Sequence, residues 1–242
     1  LLLDFDRDSP DPNVAKDPFL NPNNRYRRDL NEDIARFGAR YAISPKQDFI
    51  VSGIYAHRKD NLQDFARLGI DFFEGSHDQN YQGEFQYLLR ENNYNIVAGG
   101  GIYQVDVNRK QFIKQLQDSA ERCDMPNSNV ICDINFSRKK INGYLYSNIN
   151  LRSNLNATVG FSYDAYDDRA LIIDRFNPKL GLQWDMLSNL RLRMAWFETT
   201  KSALVANQTL EPTQVAGFNQ LFDDLNGTKA RRMGIAFDTH IA

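Results

Sequence analysis

No run in the 242-residue sequence approaches the roughly eighteen consecutive apolar residues that a transmembrane helix needs, and residues 1–20 lack the apolar core of a signal peptide. An excess of one charge is also missing. Lys and Arg number 29 against 31 Asp and Glu, a net charge of −2, so the chain has no basic surplus for phosphates and nucleic acid is excluded as the natural partner. Histidines number only three and cysteines two. His57, His77 and His240 stand in no order with a Ser, Cys or Asp, and there is no nucleophile elbow, phosphate loop or zinc motif. The sequence therefore supports no enzyme, no metal site and no cofactor. What it does contain, 42% hydrophobic residues and a 12% aromatic share, excludes a disordered chain. The helix test says nothing about a membrane β-barrel, whose strands need only about 9–11 residues of alternating polarity.

Strict alternation is the strongest positive signal. Tyr81, Gly83, Phe85, Tyr87 and Leu89 share one face of a strand, with Gln82, Glu84, Gln86 and Arg90 on the other. Ala157, Val159, Phe161, Tyr163 and Ala165 oppose Thr158, Gly160, Ser162 and Asp164, and Leu190, Leu192, Met194 and Trp196 oppose Arg191 and Arg193. The same period holds for Ala35 to Tyr41, against Arg36, Gly38 and Arg40, and for Ile141 to Leu151, against Asn142, Tyr144, Tyr146, Asn148 and Asn150.

Short turn signals separate these runs at 44–48, 91–93, 152–154 and 186–189, whereas 59–79, 106–140 and 200–228 read as long, polar, irregular connections. Short turns on one side and long loops on the other describe a transmembrane barrel. Crossings are expected near 33–43, 48–58, 80–91, 94–105, 141–151, 155–166, 176–185, 190–199 and 229–238. The alternating stretch 65–73 is set aside as a hairpin extension within a loop. The fold class expected is all-β: part of an antiparallel up-and-down transmembrane β-barrel, about nine or ten strands of a larger one. Residues 1–30 read as a polar linker or loop and 31–242 as the barrel segment. The chain begins Leu1-Leu2-Leu3 without Met, so it reads as a piece of a longer polypeptide, with a mature soluble domain as the alternative.

Tyr41, Tyr94 and Trp184, each beside a short turn, would mark one membrane interface. The opposite parity supplies lumen-facing candidates: Arg36, Arg40, Glu84, Tyr144, Tyr146, Asp164, Lys179, Arg191, Arg193 and Arg232. As a ring they would make the lumen mildly basic and bias it toward anions or acidic polymers, or they would simply pair with one another. Tyr144 and Tyr146 could offer sugar-stacking faces or fill space. Cys123 and Cys132 share the longest loop, where an exported protein would close them into a disulfide. Asp4, Asp6, Asp8 and Asp11 are spaced like calcium ligands, but the turn glycine and terminal Glu of that loop are missing, and an acidic linker is the better reading.

Phe176-Asn177-Pro178-Lys179-Leu180-Gly181-Leu182-Gln183-Trp184, then Asn189-Leu190-Arg191-Leu192-Arg193, then Leu210-Glu211-Pro212-Thr213, resemble the late strands and following loop of TonB-dependent-receptor-like outer-membrane barrels. The match covers about 35 residues well, and the rest by hairpin rhythm. It implies a large barrel in the outer membrane of a Gram-negative bacterium, of the kind that imports ferric chelates, cobalamin or glycans past an N-terminal plug. Two features depart from the pattern. Residues 1–30 resemble neither plug nor TonB box, and Glu211-Pro212-Thr213 stands where an acid usually follows the Pro. Similar barrels occur behind periplasmic helical repeats, where the resemblance implies export or anchoring.

The leading expectation is passage of a solute or polymer across the outer membrane. Its partners would be outer-membrane lipid, an unknown solute or polysaccharide, and periplasmic proteins. The alternatives are a non-transporting outer-membrane anchor or assembly component carrying a periplasmic repeat domain, and a soluble secreted carbohydrate-binding β-sandwich.

Overall fold

The computed structural model describes residues 3–8, 25–67, 70–115, 130–168, 171–201, 208–222 and 227–239. The strands are β1 (Leu3–Asp8), β2 (Arg25–Ser44), β3 (Gln47–Arg67), β4 (Ile70–Arg90), β5 (Tyr94–Gln115) and β6 (Val130–Arg152). They continue as β7 (Leu155–Asp168), β8 (Leu171–Leu187), β9 (Leu190–Thr200), β10 (Gln214–Val215), β11 (Phe218–Asn219) and β12 (Lys229–Thr239). Among the described residues ten strands form one antiparallel sheet, each beside its sequence neighbour from β1 to β9 and ending with β12 beside β9, while β10 and β11 pair only with each other.

The chain divides into two compact units. The first comprises residues 1–36, 54–81 and 105–137. Here β1 lies along β2 from Leu3↔Ile34 to Asp8↔Asp29. The stretch 1–30, expected as linker or loop, thus contributes one strand and the start of another. Asp60 accepts two hydrogen bonds from Arg28, at 2.8 and 2.5 Å, and one from Arg58 at 3.0 Å. Tyr55 and Tyr81 pack with ring centroids 5.3 Å apart.

Much of 59–79 and 106–140 is strand, which corrects the expectation of irregular connections. β3 and β4 run on to Arg67 and from Ile70, and β5 and β6 to Gln115 and from Val130. The physical reason is that charged and amide residues fall on both parities of 59–63 and 106–111, so backbone pairing continues there with no apolar period to announce it, while the alternating stretch set aside as a hairpin extension ends β3 and begins β4.

The second unit comprises 37–53, 82–104 and 138–242. All four expected short turns are present, centred on Pro45-Lys46, Asn92-Asn93, Ser153-Asn154 and Ser188-Asn189. Backbone hydrogen bonds link one turn region to the next: Arg90 N to Lys46 O at 2.8 Å, Asn150 N to Asn93 O at 2.8 Å, and Asp185 N to Asn154 O at 2.9 Å. Tyr41, Tyr94 and Trp184 are exposed beside these turns.

Parity divides the sheet sharply in this unit. Phe37, Tyr41, Phe85, Ile102, Ile141, Val159, Phe161, Leu180, Met233 and Ile235 are all exposed, Met233 to 81%. The alternate positions Gln82, Glu84, Gln86, Lys140, Asn142, Ser162, Asp164 and Lys179 are buried. That arrangement inverts the apolar-in, polar-out rule of soluble sheets.

Candidate functional site

What buries the polar face is the connection between β9 and β12. Its neck is closed by Lys201 N to Thr228 O at 2.8 Å and Gly227 N to Lys201 O at 2.7 Å. Residues 208–222 then lie against the polar side of the sheet, held in three successive layers.

The first layer centres on Glu84. Its Oε1 accepts from Tyr103 Oη and Thr209 Oγ1, both at 2.7 Å, and from the backbone N of Leu210 at 3.0 Å. Gln82 donates to the carbonyl of Gln208 at 2.8 Å, and Gln86 to that of Leu210. Each of these strand residues sits two positions from the next, so one parity of β4 presents a row of acceptors and amides to the passing backbone.

The second layer centres on Glu211. Tyr146 Oη donates to its Oε1 at 2.9 Å and Asn142 Nδ2 to its Oε2 at 3.0 Å. Lys140 and Lys179 contribute positive charge nearby, and Lys140 Nζ pairs with Asp164 at 3.2 Å. Gln220 Nε2 donates to Tyr146 Oη at 3.1 Å and to the Pro212 carbonyl at 2.8 Å, tying the returning limb to the same point.

The third layer is apolar. Val215 pairs with Phe218 around Ala216-Gly217, whose φ values of 48° and 83° give the left-handed backbone of a two-residue hairpin turn. The floor beneath is a rung of small residues, Gly181, Ala195 and Gly234, aligned across β8, β9 and β12. A Cβ on Gly181 would lie 2.8 Å from that of Ala216, and one on Gly234 would lie 2.5 Å from the Phe218 ring. Small side chains are what let the hairpin approach. Val215 and Ala216 complete a core with Tyr144, Tyr146, Ala195 and Phe197.

The candidates named from sequence distribute unevenly around this segment. Glu84, Tyr144, Tyr146, Asp164 and Lys179 lie beneath or beside it, and Lys179 donates to the Glu198 carbonyl at 2.6 Å. Arg193 lies over the Phe218 ring at 5.3 Å and holds Asp238 at 2.6 and 2.8 Å, while Arg232 reaches the carbonyls of Asn219 and Leu221. Arg40 instead grips Asp48 at 2.8 and 2.9 Å and Arg191 grips Asp185 at 2.5 and 3.2 Å, both near short turns, and Arg36 is exposed.

Most of these charges are therefore paired, and Tyr144 and Tyr146, 4% and 2% exposed, are covered. Sequence reasoning missed Lys140, which fell in a supposed loop although it shares parity with Asn142 and Tyr144, and it missed Gln82, Gln86, Tyr103 and Glu211 as anchors. Cys123 and Asp11 lie outside the described residues, as do the side chains of Asp4, Asp6 and Asp8 in β1 and of Cys132, which the structure places in β6 and not in the loop expected for it.

A comparison with curated proteins finds no match. The model of the TonB dependent receptor-like β-barrel family matches residues 2–229. Among solved structures, the ferric citrate transporter FecA in its unliganded form superposes with a TM-score of 0.57 at 11% identity, over 72% of this chain and 28% of the transporter. BauA, the ferric preacinetobactin receptor from Acinetobacter baumannii, gives 0.57 at 8%, over 89% and 36%. The ferripyoverdine receptor of the outer membrane of Pseudomonas aeruginosa gives 0.51 at 9%, over 88% and 39%. This chain thus spans well under half the length of each. With its two-faced, up-and-down sheet and a family match over nearly its whole length, the chain belongs to the TonB dependent receptor-like β-barrel family and is an outer-membrane protein of the Gram-negative type.

Proposed function

We propose that this chain forms part of the wall of an outer-membrane barrel that passes a hydrophilic solute or polymer, with Arg36, Arg40, Glu84, Tyr144, Tyr146, Asp164, Lys179, Arg191, Arg193 and Arg232 on the lumen side. The observation that carries the reading is the inverted sheet, with large apolar side chains exposed on one face and buried hydrogen-bonded polar groups on the other. Lipid is the medium that favours such a surface, and a water-lined or segment-filled interior is what the other face requires. Family membership supports transport in general, and the charged and amide lining supports a polar cargo. Cys123 and Cys132 are proposed to form a disulfide, and periplasmic proteins remain the proposed partners.

The facing is tested by assembly. Leu192→Asp and Phe161→Asp each place a carboxylate on the lipid side and should abolish heat-modifiable migration of the membrane-extracted full-length protein. Thr158→Asp, on the opposite parity, should assemble. Equal assembly of all three overturns the facing. Passage itself is tested by liposome swelling with sugars of graded size; correctly assembled protein that gives no swelling overturns transport in favour of an anchoring barrel.

A further inference from the structure

We infer that residues 208–222 form a fixed constriction inside the barrel, at the depth of the lipid core, and that it admits neutral hydrophilic solutes. The inference rests on the transport reading for its solute, but not for its placement.

The placement follows from parity. Every anchor of the segment belongs to the face opposite the exposed apolar residues: Gln82, Glu84, Gln86, Asn142 and Tyr146 by hydrogen bonds, and Gly181, Ala195 and Gly234 by packing. In a closed barrel that face is the interior. Depth follows from the ladder. The small-residue rung lies between the rungs Leu180/Trp196/Met233 and Leu182/Met194/Ile235, which are of the opposite parity and include the exposed Leu180, Met233 and Ile235 of the apolar surface. The hairpin turn is therefore seated level with the lipid-facing band, not above it. The segment is also immobilised by construction, since hydrogen bonds, a buried carboxylate and an apolar seat act at three separate points along it.

The solute class follows from what the segment turns away from the wall. Its ionisable group, Glu211, is bonded to Tyr146 and Asn142, and the side chains left exposed are Gln208, Thr213, Gln214, Asn219 and Leu221. The neighbouring cations are engaged: Lys140 with Asp164, Arg193 with Asp238, and Arg232 with loop carbonyls. Apart from Leu221, the segment thus presents hydroxyl and amide groups to the aperture, which hydrogen-bond a polyhydroxylated or amide-bearing solute and give no preference to either sign of charge.

Cysteine labelling tests the placement without requiring transport. In the full-length protein in intact cells, with Cys123 and Cys132 replaced by Ser, Asn219→Cys should react with a small methanethiosulfonate but roughly tenfold more slowly with a bulky maleimide-polyethylene glycol, as expected for a site within a narrow pore. Equal reaction with both reagents overturns the internal placement. Failure with both, in protein that labels once denatured, overturns the aperture.

Selectivity is then read in planar bilayers. The wild type should show near-equal cation and anion permeability, Asn219→Asp should shift the reversal potential toward cations, and replacing 213–221 by a short linker should raise conductance roughly twofold or more. An anion-selective wild type, or conductance untouched by either variant, overturns the neutral filter. Silence of all variants overturns passage itself, while the labelling still decides where the segment lies.

Discussion

At the residue scale, Gly181 shows how a single missing side chain positions a whole segment. Its neighbours across the ladder, Ala195 and Gly234, are also small, and the hairpin's Val215 and Ala216 fill the space a Cβ would take. Gly181→Val should unseat the hairpin without disturbing the ladder. The expected cost is about 1–3 kcal/mol of docking energy, the usual cost of overpacking. Hydrogen exchange of residues 213–220 should rise while that of β8 and β9 does not; unchanged exchange in the hairpin would refute the seat. Ala216 tells the same story from the other side. A non-glycine residue with φ of 48° costs about 1–2 kcal/mol, and its buried methyl against Gly181 is the compensation.

Asp60 is a second residue with a consequence of its own. Arg28, through paired hydrogen bonds, and then Arg58 hold its carboxyl below the ordinary range against the opposing effect of burial. A depressed carboxyl favours the folded form at pH above the usual Asp range, and that contribution disappears as pH falls through the lowered value. Amide protection around Arg28 and Asp60, corrected for intrinsic exchange, should therefore fall on acidification. In Asp60→Asn it should start lower and show less change. A wild type whose protection is indifferent to acid would refute the linkage.

At the scale of elements, legibility in the sequence tracked the presence of a polarity contrast. Where lipid meets one face, as along Ala157 to Ala165 or Leu190 to Trp196, a period of two is imposed and the strand can be read from side chains alone. Where charged and amide residues fall on both parities, as in Lys59 to Gln63 and Asp106 to Gln111, the backbone still pairs, but no alternation marks it. The turns were legible because Ser-Pro-Lys-Gln, Asn-Asn and Ser-Asn favour tight reversals locally. The inward course of residues 208–222 was not, because its anchors stand far away in the chain: Thr209 bonds Glu84 across 125 positions, and Glu211 bonds Tyr146 across 65. The Leu210-Glu211-Pro212-Thr213 stretch was recognised as a family feature, but its carboxylate's destination was invisible without the register of β4 and β6. The proposed bridge from Cys123, between β5 and β6, to Cys132, within β6, is checked by non-reducing peptide mapping. A crosslinked peptide pair that separates on reduction is expected, and two independently alkylated thiols in the native protein would refute it.

At the scale of the whole molecule, the order in which contacts can form is dictated by the segment's two attachments. Bringing Gln208 and Leu210 to Gln82 and Glu84 closes a loop of more than a hundred residues, an entropic cost that is offset only once the intervening strands are already paired. The hairpin's final seat needs β12 as well, because Phe218 rests on Gly234. Docking is therefore the last event in the maturation of this wall. A chain stalled before β12 therefore lacks the floor under Phe218, even where Glu84, Asn142 and Tyr146 already hold the first part of the segment.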